Sequence, residues 1–346
     1  MQGKLKADSQ VSYWATDLPL MLRSVYKMIG AHPPARADLM LIDLVEWLLR
    51  RPDRRPRRVH RAWALRNKIL LPLEIQGLDH ITSCMQAGGD LLPFLGTATS
   101  TLRQRHKEVP KSGLAKGKRR WQPDWMFSDW GIHHFHLGPD LEAKGKKVLR
   151  SDRVLFAYLT NTDAYLIDVL AHKKTDGGVA WADKKILETL CSEWPDVLER
   201  FELKGLMPPA KDDDFNSSEI HSLRQAGGTP MLTIHNKVYL GPGMGMATDR
   251  SSTRAVRLSS DIRYELNCIE QIFRDFSKDA KAHLYIDINA SIGYFVPAKN
   301  TFFPILDTGT SQSWARWFFQ RLIQEVSIFQ ESAANEIWLR PGVKVR

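Results

Sequence analysis

The sequence predicts an α+β fold: a helical N-terminal region, a central small β-sheet with helices, and a C-terminal α+β unit. Three observations carry this. Apolar residues recur at roughly helical spacing through much of residues 9–107. Between residues 151 and 171, two runs rich in β-branched, aromatic and aliphatic residues flank a polar turn. Beyond residue 216, short paired apolar runs alternate with long amphipathic stretches. The 346 residues leave room for two or three domains. We divide them into a helical domain (1–107), a basic linker (108–123), a histidine-bearing α+β domain (124–205), a second linker (206–215) and a C-terminal α+β domain (216–346).

Asp17-Leu18-Pro19 reads as a helix start, with Leu20, Leu22, Val25, Tyr26 and Ile29 following at helical spacing until Gly30 to Pro34 breaks the pattern. Leu39 to Leu49 places Leu41, Leu44, Val45 and Leu48 on one stripe and stops at Arg51-Pro52-Asp53. Val59 to Leu71 reads as another helix, with Trp63 and Leu65 inward and Arg61, Arg66 and Lys68 outward. Gly88-Gly89 closes a further helix. Nothing in this region has a catalytic pattern. Residues 108–123 combine Pro110, Gly113 and Gly117 with basic residues and little apolar content, the composition of a linker.

In the central domain a strand carries the histidines. Val154–Leu159 and Ala164–Leu170 form a hairpin about Thr160-Asn161-Thr162-Asp163. A helix follows from about Trp181 to Cys191, and Asp196–Phe201 continues as a short helical turn. In the C-terminal domain, Met231–Ile234 and Lys237–Leu240 pair about His235-Asn236. Asp261–Phe276 and Trp314–Phe329 are amphipathic helices, and His283–Ile288 and Gly293–Val296 are strands.

Composition narrows the partners. The net charge is +10, which favours a polyanion. Its distribution says more. One cluster runs from Arg50 to Arg61 and includes Arg54, Arg55, Arg57 and Arg58. A second runs from Arg103 to Arg120 and includes Lys118 and Arg119. A third, Lys144 to Arg153, includes Lys146 and Lys147. Phosphate neutralisation by such residues points to nucleic acid, RNA foremost; solvated basic loops are the plain alternative. No apolar run approaches the roughly 20 residues of a membrane helix, and the N-terminus lacks a signal-peptide core, so no membrane partner is expected. Three scattered cysteines, Cys84, Cys191 and Cys268, argue against a disulfide framework and for a reducing cytoplasm.

The chemistry concentrates in Asp129-Trp130-Gly131-Ile132-His133-His134-Phe135-His136. On a strand, His134 and His136 share a face and His133 takes the other. Two chemistries fit. An H-x-H pair holds a divalent metal when a carboxylate such as Asp129 joins it. Alternatively, acid/base work on RNA needs a base, an acid and a cation. For this, His134, His136 and His172 supply the titrating groups, and Arg153 and Lys173 the cation. Packed core histidines are the structural alternative.

The segment Arg153-Val154-Leu155-Phe156-Ala157-Tyr158 … Ala164-Tyr165-Leu166-Ile167-Asp168-Val169-Leu170-Ala171-His172-Lys173-Lys174-Thr175 resembles the central strands of RelE/HigB-type bacterial toxin ribonucleases. The resemblance implies a small sheet packed on helices whose basic side chains attack mRNA. It implies Arg153 on phosphate and His172 with Lys173 at the active edge. It extends the expected partners to the ribosome or a neutralising antitoxin, in a toxin or phage-defence role. It covers barely forty residues. This chain is far longer than those toxins, and HHFHLG stands where they carry an arginine-bearing strand.

The Gly241–Met246 loop lacks the G-K-[ST] ending of a phosphate loop and reads as a tight surface turn. The sequence therefore predicts an RNA-directed nuclease without a cofactor. A metal-dependent hydrolase or DNA nuclease, and a non-catalytic nucleic-acid-binding or assembly protein, are the alternatives.

Overall fold

The structure, a computed structural model, describes residues 12–96, 101–103, 124–138, 147–149, 151–171, 180–209, 215–276, 282–286, 292–299, 301–304 and 313–329. The fold is α+β. No helix among the described residues is long and apolar enough to cross a membrane.

In chain order the elements begin with α1 (Tyr13–Met28), α2 (Ala37–Arg50), β1 (Arg58–Arg61), α3 (Trp63–Arg66) and α4 (Pro72–Ala87). Next come α5 (Trp125–Trp130), β2 (Ile132–His136), β3 (Arg153–Leu159), β4 (Asp163–Ala171), α6 (Lys185–Glu193), α7 (Pro195–Glu199) and α8 (Ser217–Gln225). The chain continues through β5 (Met231–Ile234), β6 (Lys237–Leu240), α9 (Thr253–Phe276), β7 (His283–Ile286), β8 (Ile292–Val296), β9 (Thr301–Pro304) and α10 (Trp314–Phe329). They divide into two compact units. One holds the described residues of 1–45 and 257–346, the other those of 46–103 and 119–256. Each unit joins segments distant in sequence, so its boundaries do not follow the consecutive segments drawn from composition.

In the first unit, α1 begins four residues before Asp17, and Pro19 lies inside it. The local sequence does not mark this start, because the cap comes from far away. Glu270 Oε2 accepts the Ser12 hydroxyl at 2.7 Å and the Trp14 amide at 3.2 Å, and a carboxylate at a helix N-terminus is stabilising. Burial opposes the charge, yet Ser12, Arg274 and these amides hold the Glu270 carboxyl below its ordinary range. α10 is capped the same way, with Glu265 accepting the amides of Trp314 and Ala315 at 3.0 Å. The antiparallel sheet β7-β8-β9 includes β9, which the sequence pattern did not indicate. Buried Asp17 ties α1 to this sheet by accepting the Leu284 amide at 2.8 Å.

The second unit is built on a four-stranded sheet of order β1-β4-β3-β2. The β3–β4 hairpin is antiparallel, with a register shift between Phe156 and Ala157, and β2 pairs antiparallel with β3. Side chains alternate between two apolar layers. Ile132, Val154, Phe156 and Ile167 pack with Trp130, Ile186, Leu190, Leu232 and Ile234. Phe135, Leu155, Ala157, Leu166 and Val169 pack on the other face with Leu78, Ile81, Met85 and Phe94. An isolated bridge between Leu95 and Phe135 covers the outer edge of β2.

The segment from Val59 to Leu71, expected as a helix, is instead β1, then the single turn α3, then a loop. β1 pairs parallel to β4, from Arg58 against Asp163 to Arg61 against Leu166. Four residues carry too little pattern to outweigh a waiting strand edge. Leu65 is buried as expected, but Trp63 is 64% exposed rather than inward. The β5–β6 hairpin turns at His235 and Asn236 with φ of 48° and 60°, the paired left-handed conformation of a tight hairpin.

The Gly241–Met246 loop is not a surface turn. It is largely buried against α5: Gly243 N donates to Asp129 O and Gly245 N to Ser128 O, both at 3.0 Å, and Met246 N donates to Thr229 Oγ1 at 3.2 Å. A Cβ on Gly241 would come within 2.2 Å of Asp129 O, and one on Gly243 within 2.3 Å of Ser128 O. The glycines serve close backbone packing.

Candidate active site

The histidine strand is placed by a short device. Asp124 Oδ1 caps α5 by accepting the Phe127 amide at 3.1 Å. Gly131, at φ 65°, ends α5 and turns the chain into β2. As expected, His134 and His136 share one face and His133 takes the other. His133 is buried between Phe127, 4.8 Å away between ring centres, and Phe135 at 5.9 Å. Burial lowers its pKa to about 3, so it is neutral at physiological pH. His134 lies against Trp181, with ring centres 4.6 Å apart, and its Nδ1 is 3.8 Å from Asp124 Oδ2. His136 is buried.

Of the other residues predicted to join these histidines, Arg153 and Asp129 are engaged elsewhere. Arg153 lies on the opposite face of the sheet, because it alternates with Val154. There its Nη1 donates to Glu74 Oε2 and to Ile69 O, each at 3.1 Å. His172 and Lys173 lie outside the described residues. Asp129 Oδ2 accepts from Nε of Arg224, which is fully buried. Arg224 also donates to Trp181 O and sits 4.4 Å over the Trp130 ring. Burial pushes the Asp129 carboxyl upward, and Arg224 pulls it back. Among the described residues no group of three or more His, Cys, Asp or Glu is arranged to hold a metal ion.

The first basic cluster is also largely committed to the fold. Arg54 pairs with Asp90 at 2.7 Å, Arg55 and Arg57 both pair with Asp53, and Arg61 pairs with Asp79 at 3.1 Å. Arg57 is buried and donates to Thr160 O at 2.8 Å, tying β1 to the β3–β4 turn. Lys147 donates to Leu92 O and Leu95 O at 2.9 and 3.0 Å. Lys118, Arg119, Arg120 and Lys146 lie outside the described residues.

A different constellation forms where β1 meets β4. The parallel register sets Arg58 beside Asp163 and His60 beside Tyr165. These four side chains share one face, since Val59 packs into the layer on the other. His60 Nε2 lies 2.8 Å from Asp163 Oδ1, and Arg58 Nε lies 3.0 Å from the same oxygen. The Thr162 hydroxyl, then His60 and Arg58, hold the Asp163 pKa down to about 2 against the effect of burial. Its charge is therefore permanent in any physiological medium. The His60 ring stacks on Tyr165 at 5.0 Å and 16°, and Trp194 stands edge-on at 6.4 Å. The His60 side chain is 37% exposed and that of Arg58 is 77% exposed. Burial, with the Asp163 charge behind it, raises the Tyr165 pKa, so its hydroxyl stays protonated.

Sequence reasoning passed over His60 and Asp163. The available signal was the alternation Arg58-Val59-His60-Arg61, polar-apolar-polar, but a helical reading absorbed it. Asp163 read only as turn chemistry.

Comparison of the chain with protein-family models, with curated proteins and with solved structures finds no match.

Proposed function

We propose that the protein is an RNA-directed nuclease that works by acid/base chemistry, with His60 as general base. The observation that carries this reading is the 2.8 Å contact of His60 Nε2 with the ionised, largely buried Asp163, at a half-exposed site. An aspartate on one imidazole nitrogen fixes the tautomer that leaves the other nitrogen as a base. Here Nδ1 carries that free lone pair and makes no hydrogen bond among the described residues.

The chemistry balances without a cofactor. His60 takes the proton of a ribose 2′-hydroxyl, and the 2′-oxygen attacks the adjacent phosphorus. The P–O5′ bond breaks, leaving a 2′,3′-cyclic phosphate, and solvent protonates the departing 5′-oxygen. The Arg58 guanidinium supplies positive charge beside the base, where the phosphorane's charge develops. Tyr165 and Trp194 give an aromatic wall suited to unstacked bases. The toxin-ribonuclease resemblance of β3 and β4 points the same way, toward a toxin or defence role.

The test is cleavage of single-stranded RNA by the purified protein, with and without EDTA. Cleavage that survives EDTA, ends in a cyclic phosphate and disappears in His60→Ala supports the reading. Full activity of His60→Ala overturns it. Equal binding of RNA, DNA and heparin without cleavage leaves a binding protein.

A further inference from the structure

An open cleft of about 560 Å³ lies in the second unit, on the solvent face of α6, a volume ordinary for a small-ligand site. α6 is amphipathic. Ile186, Leu187, Leu190 and Cys191 are buried in the layer that holds Trp130 and Ile132. Lys185, Glu188, Thr189, Ser192 and Glu193 recur at i, i+3, i+4, i+7 and i+8, so they share the outward face and line the cleft. α3 contributes Trp63, and the β5–β6 hairpin contributes His235 from its left-handed turn. Both are tied to α6: Glu193 Oε1 accepts the Trp63 amide at 3.0 Å, and Ser192 Oγ lies 3.3 Å from His235 Nε2. The exposed Trp63 ring has no aromatic or cationic partner among the described residues, and Lys185 has no ion pair there. Glu188 meets only Lys184, at 3.9 Å. The cleft adjoins the His60 site. Trp63 is three residues beyond His60, a span of about 10 Å at most, and Trp194, edge-on to His60, directly follows Glu193.

We propose that this cleft binds a guanine base of single-stranded RNA, in a nucleotide beside the phosphodiester cleaved at His60. The placement rests on the reading of His60 as the general base. Trp63 offers a face on which an unstacked base lies. Base identity comes from Lys185 and Glu188, neighbours on one face of α6. The Watson–Crick edge of guanine presents an acceptor, O6, beside two donors, N1–H and N2–H. The Lys185 ammonium donates to O6, and the Glu188 carboxylate accepts both N–H groups. Uracil has one donor on this edge. Adenine and cytosine each have one amino group beside an acceptor. Each of these leaves a carboxylate oxygen without its partner. The negative charge of Glu188 and Glu193 keeps backbone phosphates outside the cleft, where the exposed Arg58 meets them.

The probe is a short, fluorescently labelled oligouridine with 2′-O-methyl riboses throughout, so that no 2′-oxygen can attack, and with one variable central base. Its affinity for the full chain is measured by anisotropy. A central guanine should bind about tenfold tighter than uracil, and hypoxanthine, which lacks the N2 amino group, about fivefold weaker than guanine. Glu188→Ala should bring guanine within about twofold of uracil. Trp63→Ala should weaken the guanine probe about tenfold, and Trp63→Phe should keep most of the affinity. Both side chains lie outside the core, so the variants should unfold at the wild-type temperature. Equal affinity for all bases, a preference for adenine or cytosine, or a guanine preference that persists in Glu188→Ala overturns the proposal. The two readings fail separately. A Glu188-dependent guanine preference in a protein that cuts no RNA sinks the nuclease and keeps the base site. Cleavage that needs His60 but ignores base identity and Trp63→Ala does the reverse.

Discussion

His60 and Asp163 are 103 residues apart in sequence, yet they are held 2.8 Å apart by one parallel strand pair. β1 has only four residues, so its register on β4 decides whether an imidazole meets a carboxylate at all. A slip of one residue would turn His60 into the opposite apolar layer. The sheet thus assembles the proposed acid/base pair from an edge strand and a turn.

From this relationship follows a rate prediction. His60→Ala should slow RNA cleavage by about 10²–10⁴-fold, the usual worth of a positioned general base. Asp163→Asn should slow it less, since the asparagine no longer fixes the tautomer of His60. Asp163 itself titrates near 2 and should add no limb of its own above pH 4. Initial rates across pH 4–9 for the three proteins check this. Equal rates for wild type and Asp163→Asn would remove the aspartate from the mechanism.

The buried Arg224–Asp129 pair predicts a stability effect without a chemical one. Asp129→Ala strands a fully buried guanidinium and should cost about 3–5 kcal/mol. The double variant Asp129→Leu/Arg224→Met should recover much of that loss, because neither charge is then stranded. Urea unfolding of the single and double variants measures both terms. Additive losses in the double variant would show that the two residues are not coupled.

His133 predicts acid sensitivity. Its pKa is about 3 in the fold against an ordinary 6.5. Between these values the unfolded chain holds a proton that the folded one refuses. Stability is therefore fully present above about pH 6.5 and falls as pH drops toward 3, by up to about 4 kcal/mol. In His133→Phe this limb should flatten. Urea midpoints at pH 7, 6, 5 and 4 for both proteins give the comparison, and parallel curves would rule out His133 as the cause.

Gly243→Ala should destabilise the second unit by about 1–3 kcal/mol, because its methyl group would stand within 2.3 Å of the Ser128 carbonyl oxygen. Gly205→Ala, where a Cβ meets open space, tests backbone conformation alone. Thermal unfolding of both separates crowding from the left-handed φ of Gly205, which is 88°. Equal losses would attribute the Gly243 effect to something other than the close approach.

Much of the fold was legible because it is local. The β3–β4 hairpin, the β5–β6 hairpin with its His235-Asn236 turn, and α10 follow from turn residues and periodicity within a few residues. The start of α1 was not legible, because its cap is Glu270, 258 residues from Ser12. β9 and β1 are short strands whose identity comes from the neighbour they pair with. The candidate site divides along the same line. Alternation along β2 correctly sorted His134 and His136 from His133, but it could not show that Arg153 would be drawn to Glu74 on the far face, or that Asp129 would be buried on Arg224.

The sequence alone established the α+β class, the two hairpins, the face each histidine of β2 takes, and an excess of positive charge suited to a polyanion. Periodicity, turn chemistry and net charge are properties of neighbouring residues or of simple sums, so they survive without coordinates. Only the tertiary structure decided which charges are free. It paired Arg54, Arg55, Arg57 and Arg61 with aspartates. It also moved the acid/base candidate from the histidine-rich strand to His60 and Asp163. Burial, counter-charges and strand register act between segments far apart in the chain, and these determine whether a titratable side chain is a brace or a reagent.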